Sequence, residues 1–114
     1  MIAVIFEVKI TDGHSSDYLD IAAELRPILE KVEGFVSVER FQSLTDPDKL
    51  LSLSFFKSEE AIEQWRTLCA HREAQSKGRE GVFEDYRIRV AEVVRDYGMF
   101  EREQVPEDSK KKHC

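Results

Sequence analysis

Hydrophobic side chains in this 114-residue chain change period twice, from two to about 3.6 and back, and no other feature narrows the possible folds so far. Residues 2–10 alternate, with Ile2, Val4, Phe6, Val8 and Ile10 on one face and Ala3, Ile5, Glu7 and Lys9 on the other. That is the pattern of a strand, apolar on one side and mixed on the other. After the loop TDGHSS, whose Ser15 or Ser16 is the expected N-cap, Tyr18, Ile21, Ala22, Leu25, Ile28, Leu29 and Val32 follow helical spacing. Pro27 predicts a kink or interruption, because it lacks the N–H owed to residue 23, and Gly34 predicts the stop. FVSVERFQSL reads as a second strand, TDPDK as a turn and LLSLSFF as a third strand, together a hairpin. Ser58 is the expected cap of a second helix, with Glu59 and Glu60 where the helix dipole favours them. That helix is expected to run to about Ser76 and break at Gly78, and GVFEDYRIRVAEVVRDY to form a long last strand.

The order β-α-β-β-α-β predicts an α+β, ferredoxin-like split β-α-β domain over residues 1–99: a four-stranded antiparallel sheet with two helices on one face. Residues 100–114 are a polar tail, expected to be partly disordered. The last strand carries Val82, Tyr86, Ile88, Val90 and Val94 on one side but Phe83, Ala91 and Val93 on the other, and the third strand is apolar on nearly both. Apolar content on the face without helices predicts a second sheet against it, most economically a symmetric homodimer.

Charge and composition exclude several classes. A net charge of −6, with no Lys/Arg stripe before the tail, lacks the footprint of a nucleic-acid binder. No apolar run reaches membrane-span length, and the start MIAVIFEVKI lacks the basic region and cleavage site of a signal peptide. Cys69 and Cys114 form no disulfide framework, so a reducing, cytoplasmic setting is expected. Glycine runs that cradle nucleotides are absent, and His14, His71 and His113 are scattered, so no cofactor and no metal site is predicted. Glu7 and Glu39 are the one carboxylate pair that the strands allow to face each other.

The stretch EQWRTLCAHREAQSKGR holds the residues with most to say about function. Laid out as one continuous helix, Ala61, Ile62, Trp65, Leu68, Cys69 and the stem of Arg72 share the arc that faces the sheet. Gln64, His71 and Gln75 line the edge of that arc. A tryptophan at this spacing is ordinarily core and a shoulder histidine ordinarily a boundary residue. A neutral histidine is also suited to accept a proton near pH 7.

The segments GFxSxERFxS, PxKLLSLSF and WxxxxAHRxAQxxGRxxVFxDYRIRVAxVxRDYGM, with the order of elements, resemble the antibiotic biosynthesis monooxygenase superfamily over residues 1–99, most strongly over 34–99. The resemblance implies a dimeric α+β barrel. It also implies a cleft between the second helix and the sheet, and chemistry in which a small aromatic phenol or quinol is oxidised by O2 without a cofactor. In that cleft His71 is the expected proton acceptor, with Trp65, Phe6, Phe41, Phe55 and Tyr86 as the expected lining. Gln75, Arg79 and Arg87 are expected to orient a substrate oxygen. Two alternatives remain open: a non-catalytic barrel that binds a small molecule, and a haem-binding or haem-degrading protein with His71 as iron ligand. The haem-degrading branch uses an asparagine near the start of strand 1 together with a tryptophan and a histidine, and this chain contains no asparagine.

Overall fold

The computed structural model describes residues 1–68, 71–73, 76 and 81–109. Its elements are β1 (Ile2–Ile10), α1 (Ser15–Leu29), β2 (Phe35–Gln42), β3 (Lys49–Phe56), α2 (Glu59–Thr67) and β4 (Phe83–Glu92), followed by a single 3-10 turn at Glu107–Ser109. The strands form one antiparallel sheet in the order β2-β3-β1-β4, which is the ferredoxin-like arrangement the periodicities predict.

β1 is hydrogen-bonded on both sides, and its register sets the sheet. Val4 faces Ser54 on β3 and Val90 on β4, and Phe6 faces Ser52 and Ile88. Directly opposed residues share a face, so the rows extend to β2 as Val38–Ser54–Val4–Val90 and Arg40–Ser52–Phe6–Ile88. Both helices pack on this side. One core cluster joins Leu29 of α1 with Ala61 and Ile62 of α2 over Val38 and Phe56, with Ile2, Val4, Phe35 and Trp65 at its margin. A second joins Tyr18 at the start of α1 to Val8 and Ile10, with Phe6, Leu50, Val82 and Phe83 around it. The molecule is 20 Å across its thinnest dimension, one sheet and one helical layer.

Several local expectations need correction. α1 begins at Ser15, so His14 occupies the cap position, without a side-chain cap bond, and its Nδ1 lies 2.8 Å from Asp17 Oδ2. Pro27 does not interrupt α1, because it falls in the last turn; the lost bond is owed to an exposed residue, Ala23, whose carbonyl water can satisfy. The helix closes with Glu30 N–H donating to Arg26 O at 3.0 Å, well before Gly34. β4 starts at Phe83 and ends at Glu92, and a register shift between Lys9 and Ile10 leaves Glu84 unpaired. This bulge returns Phe83 to the helix side, where its ring meets Phe6 at 5.9 Å and Tyr18 at 5.8 Å. Beyond β4, Gly98 N–H donates to Glu101 O at 2.7 Å, Asp96 N–H donates to Gln104 Oε1 at 2.8 Å, and Val105 is buried.

α2 is held against the sheet at Gly34. With φ at +92°, Gly34 has a backbone that side-chain-bearing residues rarely adopt, and a Cβ built on it would stand 2.8 Å from Ala61 Cβ. Its carbonyl accepts from Lys57 N–H at 2.7 Å, fastening the β3–α2 connection to the same point. Ser58 caps α2 as expected, its Oγ accepting from Ala61 N–H at 3.3 Å. Gly34→Ala is therefore expected to cost on the order of 2 to 4 kcal/mol, from backbone strain and overpacking together. Guanidinium unfolding should show the lowered midpoint; an unchanged midpoint would mean that α2 does not bear on Gly34.

Candidate functional site between α2 and the sheet

The predicted second helix does not run unbroken to Ser76, which is itself helical. Regular helix ends at Thr67, whose hydroxyl donates back to Gln64 O at 3.1 Å, and Leu68 turns extended at ψ 135° before helical residues resume at 71–73. This break creates the central contact of the site. In an unbroken helix, residues six apart stand about 9 Å along the axis and about 120° apart around it, too far for their rings to meet. Here the His71 ring lies edge-on to Trp65, with centroids 4.6 Å apart and planes at 82°. Leu68 N–H donates to Trp65 O at 3.2 Å and Arg72 N–H to Leu68 O at 3.1 Å, so the backbone across the break remains tied.

His71 is only partly exposed, and its Nδ1 is shielded from solvent without a hydrogen-bond partner. Burial disfavours the imidazolium and holds its pKa below the ordinary 6.5. The ring is thus neutral at pH 7, with an unengaged nitrogen. Trp65 connects it to the core, packing against the cluster of Leu29, Val38, Phe56, Ala61 and Ile62.

Of the expected lining, Phe6 and Tyr86 lie on the helix side, 5.8 Å apart between ring centroids, toward the Tyr18 cluster. Phe41 and Phe55 do not. Phe41 pairs with Leu51, and Phe55 with Ala3 and Ser37, which puts both on the opposite, helix-free face. Arg87 pairs with Glu7 on that same face and cannot reach a ligand beneath α2. Glu7 and Glu39 are not a catalytic pair, since they occupy different rows: Glu7 faces Leu51 and Glu39 faces Leu53. Glu7 is instead engaged by Arg89 at 3.3 Å and Lys49 at 3.9 Å. Gln75 and Arg79 lie outside the described residues. Among the described residues no group of three or more His, Cys, Asp or Glu side chains could hold a metal, and no helix is long and apolar enough to cross a membrane.

The residue that sequence reasoning missed is Arg40. Its Nε is also shielded from solvent and lacks a partner. The signal was present in the alternation of β2: once Val38 is placed in the core, Arg40, two residues on, must face the helices too. Ser52 and Ser54 complete this part of the floor, small polar side chains where the rest of the helix-facing sheet is largely Phe, Ile, Val and Leu.

Two measurements separate packing from chemistry. Trp65→Ala is expected to cost several kcal/mol, on the order of 3 to 5, whereas His71→Ala should change stability much less. The depressed His71 pKa also fixes the sign of a pH effect. Above pH 6.5 the histidine is neutral both folded and unfolded and contributes no pH dependence. As pH falls below that value the unfolded chain takes up a proton that the folded chain does not, so stability is lost until the folded pKa is reached. Melting curves between pH 7.5 and 5 should therefore fall more steeply for the wild type than for His71→Gln; parallel curves would mean that the ring is solvated.

The geometry can be set beside known proteins. Residues 1–77 match the family model of the antibiotic biosynthesis monooxygenases. The chain is 46% identical over 94 residues to the jasmonate monooxygenase ABM of Pyricularia oryzae, covering 82% of this chain and 44% of that protein. It thus spans less than half the length of this relative. It is 32% identical over 94 residues to the uncharacterized protein YqjZ of Bacillus subtilis, covering 82% of this chain and 79% of that one. Among solved structures, a Deinococcus radiodurans protein provisionally assigned as an antibiotic biosynthesis monooxygenase superposes with a TM-score of 0.78 at 12% identity, covering 87% of this chain and 98% of that one. With two thirds of its length matched by the family model, and with this fold, the chain belongs to the antibiotic biosynthesis monooxygenase family.

Proposed function

We propose that the chain is a cofactor-independent monooxygenase that oxidises a small phenol or quinol with O2 in the layer between α2 and the sheet. The observation that carries this reading is His71: a neutral ring held edge-on to Trp65, with a buried nitrogen that no described residue engages. Such a nitrogen is placed to accept a proton rather than to brace the fold. A phenol that gives up its proton becomes electron-rich enough to reduce dioxygen. For a phenol with a free para C–H, oxidation to the quinone places one oxygen atom in the ring and releases the other as water. The substrate supplies all four electrons, so no external reductant enters the balance. The protein has to take the proton, hold the ring and keep water away, and Trp65 with the helix-side aromatics Phe6 and Tyr86 suits the last two tasks.

The reading includes a homodimer formed through the helix-free face and a cytoplasmic setting. That face carries Ala3, Ile5, Leu51, Leu53, Phe55, Phe41 and Ala91, and α1 and α2 both pack on the other side of the sheet. A stable dimer would bury roughly 1,600 Å² or more there. Sedimentation at micromolar concentration should give a dimer, and Leu53→Glu should shift it toward monomer; a wild-type monomer would refute this part.

The chemical test is oxygen uptake with a panel of phenols, hydroquinones and jasmonate, using 18O2 to follow the oxygen atoms. Label is expected in the organic product and in water. His71→Ala should lower turnover by about 10²-fold or more, the scale of general-base catalysis, with the dimer intact. Uptake that survives His71→Ala undiminished would exclude the histidine as base. Addition of haemin should produce no Soret shift; a shift lost in His71→Ala would favour the haem reading instead.

A further inference from the structure

The helix-side floor contains a positive charge, Arg40, that has no ion-pair partner among the described residues. Arg40 stands on β2 opposite Ser52, two residues beyond the buried Val38. Its Nε is shielded from solvent and has no hydrogen-bond partner, and among the described residues it makes no ion pair. The acids of neighbouring strands and loops are turned or spent elsewhere. Glu39 points to the other face, Glu7 is engaged by Arg89 and Lys49, and Asp46 accepts from Lys9 at 2.6 Å. A buried guanidinium N–H without an acceptor is costly to maintain, and nothing in the packing of β2 calls for arginine at a position where valine or leucine would extend the core.

The residues beside Arg40 on the helix side of β3 are small and polar rather than large and apolar. Ser52 and Ser54, one small hydroxyl per row, separate the cluster around Phe56 from the cluster around Tyr18. α2 enters at the Phe56 end of the sheet, beside Gly34, and Trp65 lies about 6 Å further along its axis than Ala61, roughly two strand residues on. Trp65 packs against the cluster that contains Val38, and Arg40 lies two residues beyond Val38 on the same face of β2, about 7 Å along the strand. Two shielded polar atoms without partners, Arg40 Nε and the Nδ1 of His71, whose ring meets Trp65 at 4.6 Å, therefore lie on the helix side of the sheet.

We infer that this site selects substrates bearing a carboxylate, which Arg40 binds while the ring carrying it rests against Trp65 beside His71. The inference rests on the α2-to-sheet layer being the binding site and adds to it the substrate's charge and the residue that reads it. Arginine presents paired N–H groups in the geometry of a carboxylate, and a polar site built for such a group rejects the analogue that lacks it. The serine hydroxyls beside it can donate to the same oxygens.

Trp65 is the only tryptophan in the chain, so its fluorescence reports the site directly, with or without turnover. The probes are 4-hydroxybenzoate and its neutral counterpart 4-hydroxybenzamide. The acid is expected to quench Trp65 with an affinity roughly tenfold or more above that of the amide, the scale of one charge-assisted contact. In Arg40→Gln the acid should fall to the level of the amide, whose own affinity should hold, and Arg40→Lys should recover part of the preference. Equal binding of acid and amide by the wild type, which needs no variant to establish, overturns the inference, as does an acid preference that persists in Arg40→Gln. If neither probe perturbs Trp65, the site reading falls and the inference with it. Acid preference without oxygen uptake leaves the inference standing and removes only the oxygenase.

Discussion

Everything in this structure hangs on β1, an inner strand paired on both sides, apolar on its helix face and mixed on the other. Its even-numbered residues, Ile2 to Ile10, form the central line of the helix-side core, while Ala3 and Ile5 open onto the other face. A slip of one residue would exchange the two sets and put Glu7 and Lys9 under the helices. The ion pairs of Glu7 with Arg89 and Lys49, and of Lys9 with Asp46, act on the opposite side of the same constraint. Exposed pairs of this kind contribute little stability individually. Their value lies in register, since each is made only when β3, β4 and the β2–β3 loop are aligned as observed.

Because register decides which side chains share a face, it also decides which of the chain's aromatics can belong to one site. Phe6 and Tyr86 were legible as helix-side residues from alternation alone. Phe41 and Phe55 were also legible in principle: FVSVERF alternates, and Val38 marks the buried side, so Phe41 must lie on the other. Pooling them with Phe6 treated aromatic character as if it outweighed strand parity. Phe83 was not legible, because the bulge at Glu84 that returns it to the helix side depends on how β1 and β4 pair and leaves no local mark.

The order of elements and the face that carries the helices followed from period and capping, signals that act within a few residues. The break in α2 did not. From Glu59 to Ser76 the pattern remains compatible with one helix, and no glycine or proline interrupts it. The interruption at Leu68 comes instead from weak local terms, Thr67 bonding back to Gln64 O and His71 finding the edge of Trp65. Sequence reasoning paired Trp65 with His71 on the assumption of a continuous helix, in which the two rings could not have touched. The association stands for a different reason, and the difference matters, because a broken helix aims His71 where a straight one would carry it past the contact.

Strand parity also connects the charge of the protein to its site. The chain carries a net −6, yet on the helix-side floor Arg40 makes no ion pair among the described residues. Alternation explains how both can be true: Glu39 and Glu7 occupy positions of opposite parity to Arg40 and Val38, so the sheet itself, about one residue thick, separates them. A sheet is an effective partition between charges of opposite sign, because a side chain on one face cannot reach round to neutralise one on the other. An arginine on the shielded face is then left to whatever enters from the helix side. Among the described residues Arg40 makes no ion pair, so the carboxylate proposed for the substrate would supply the negative charge that it lacks.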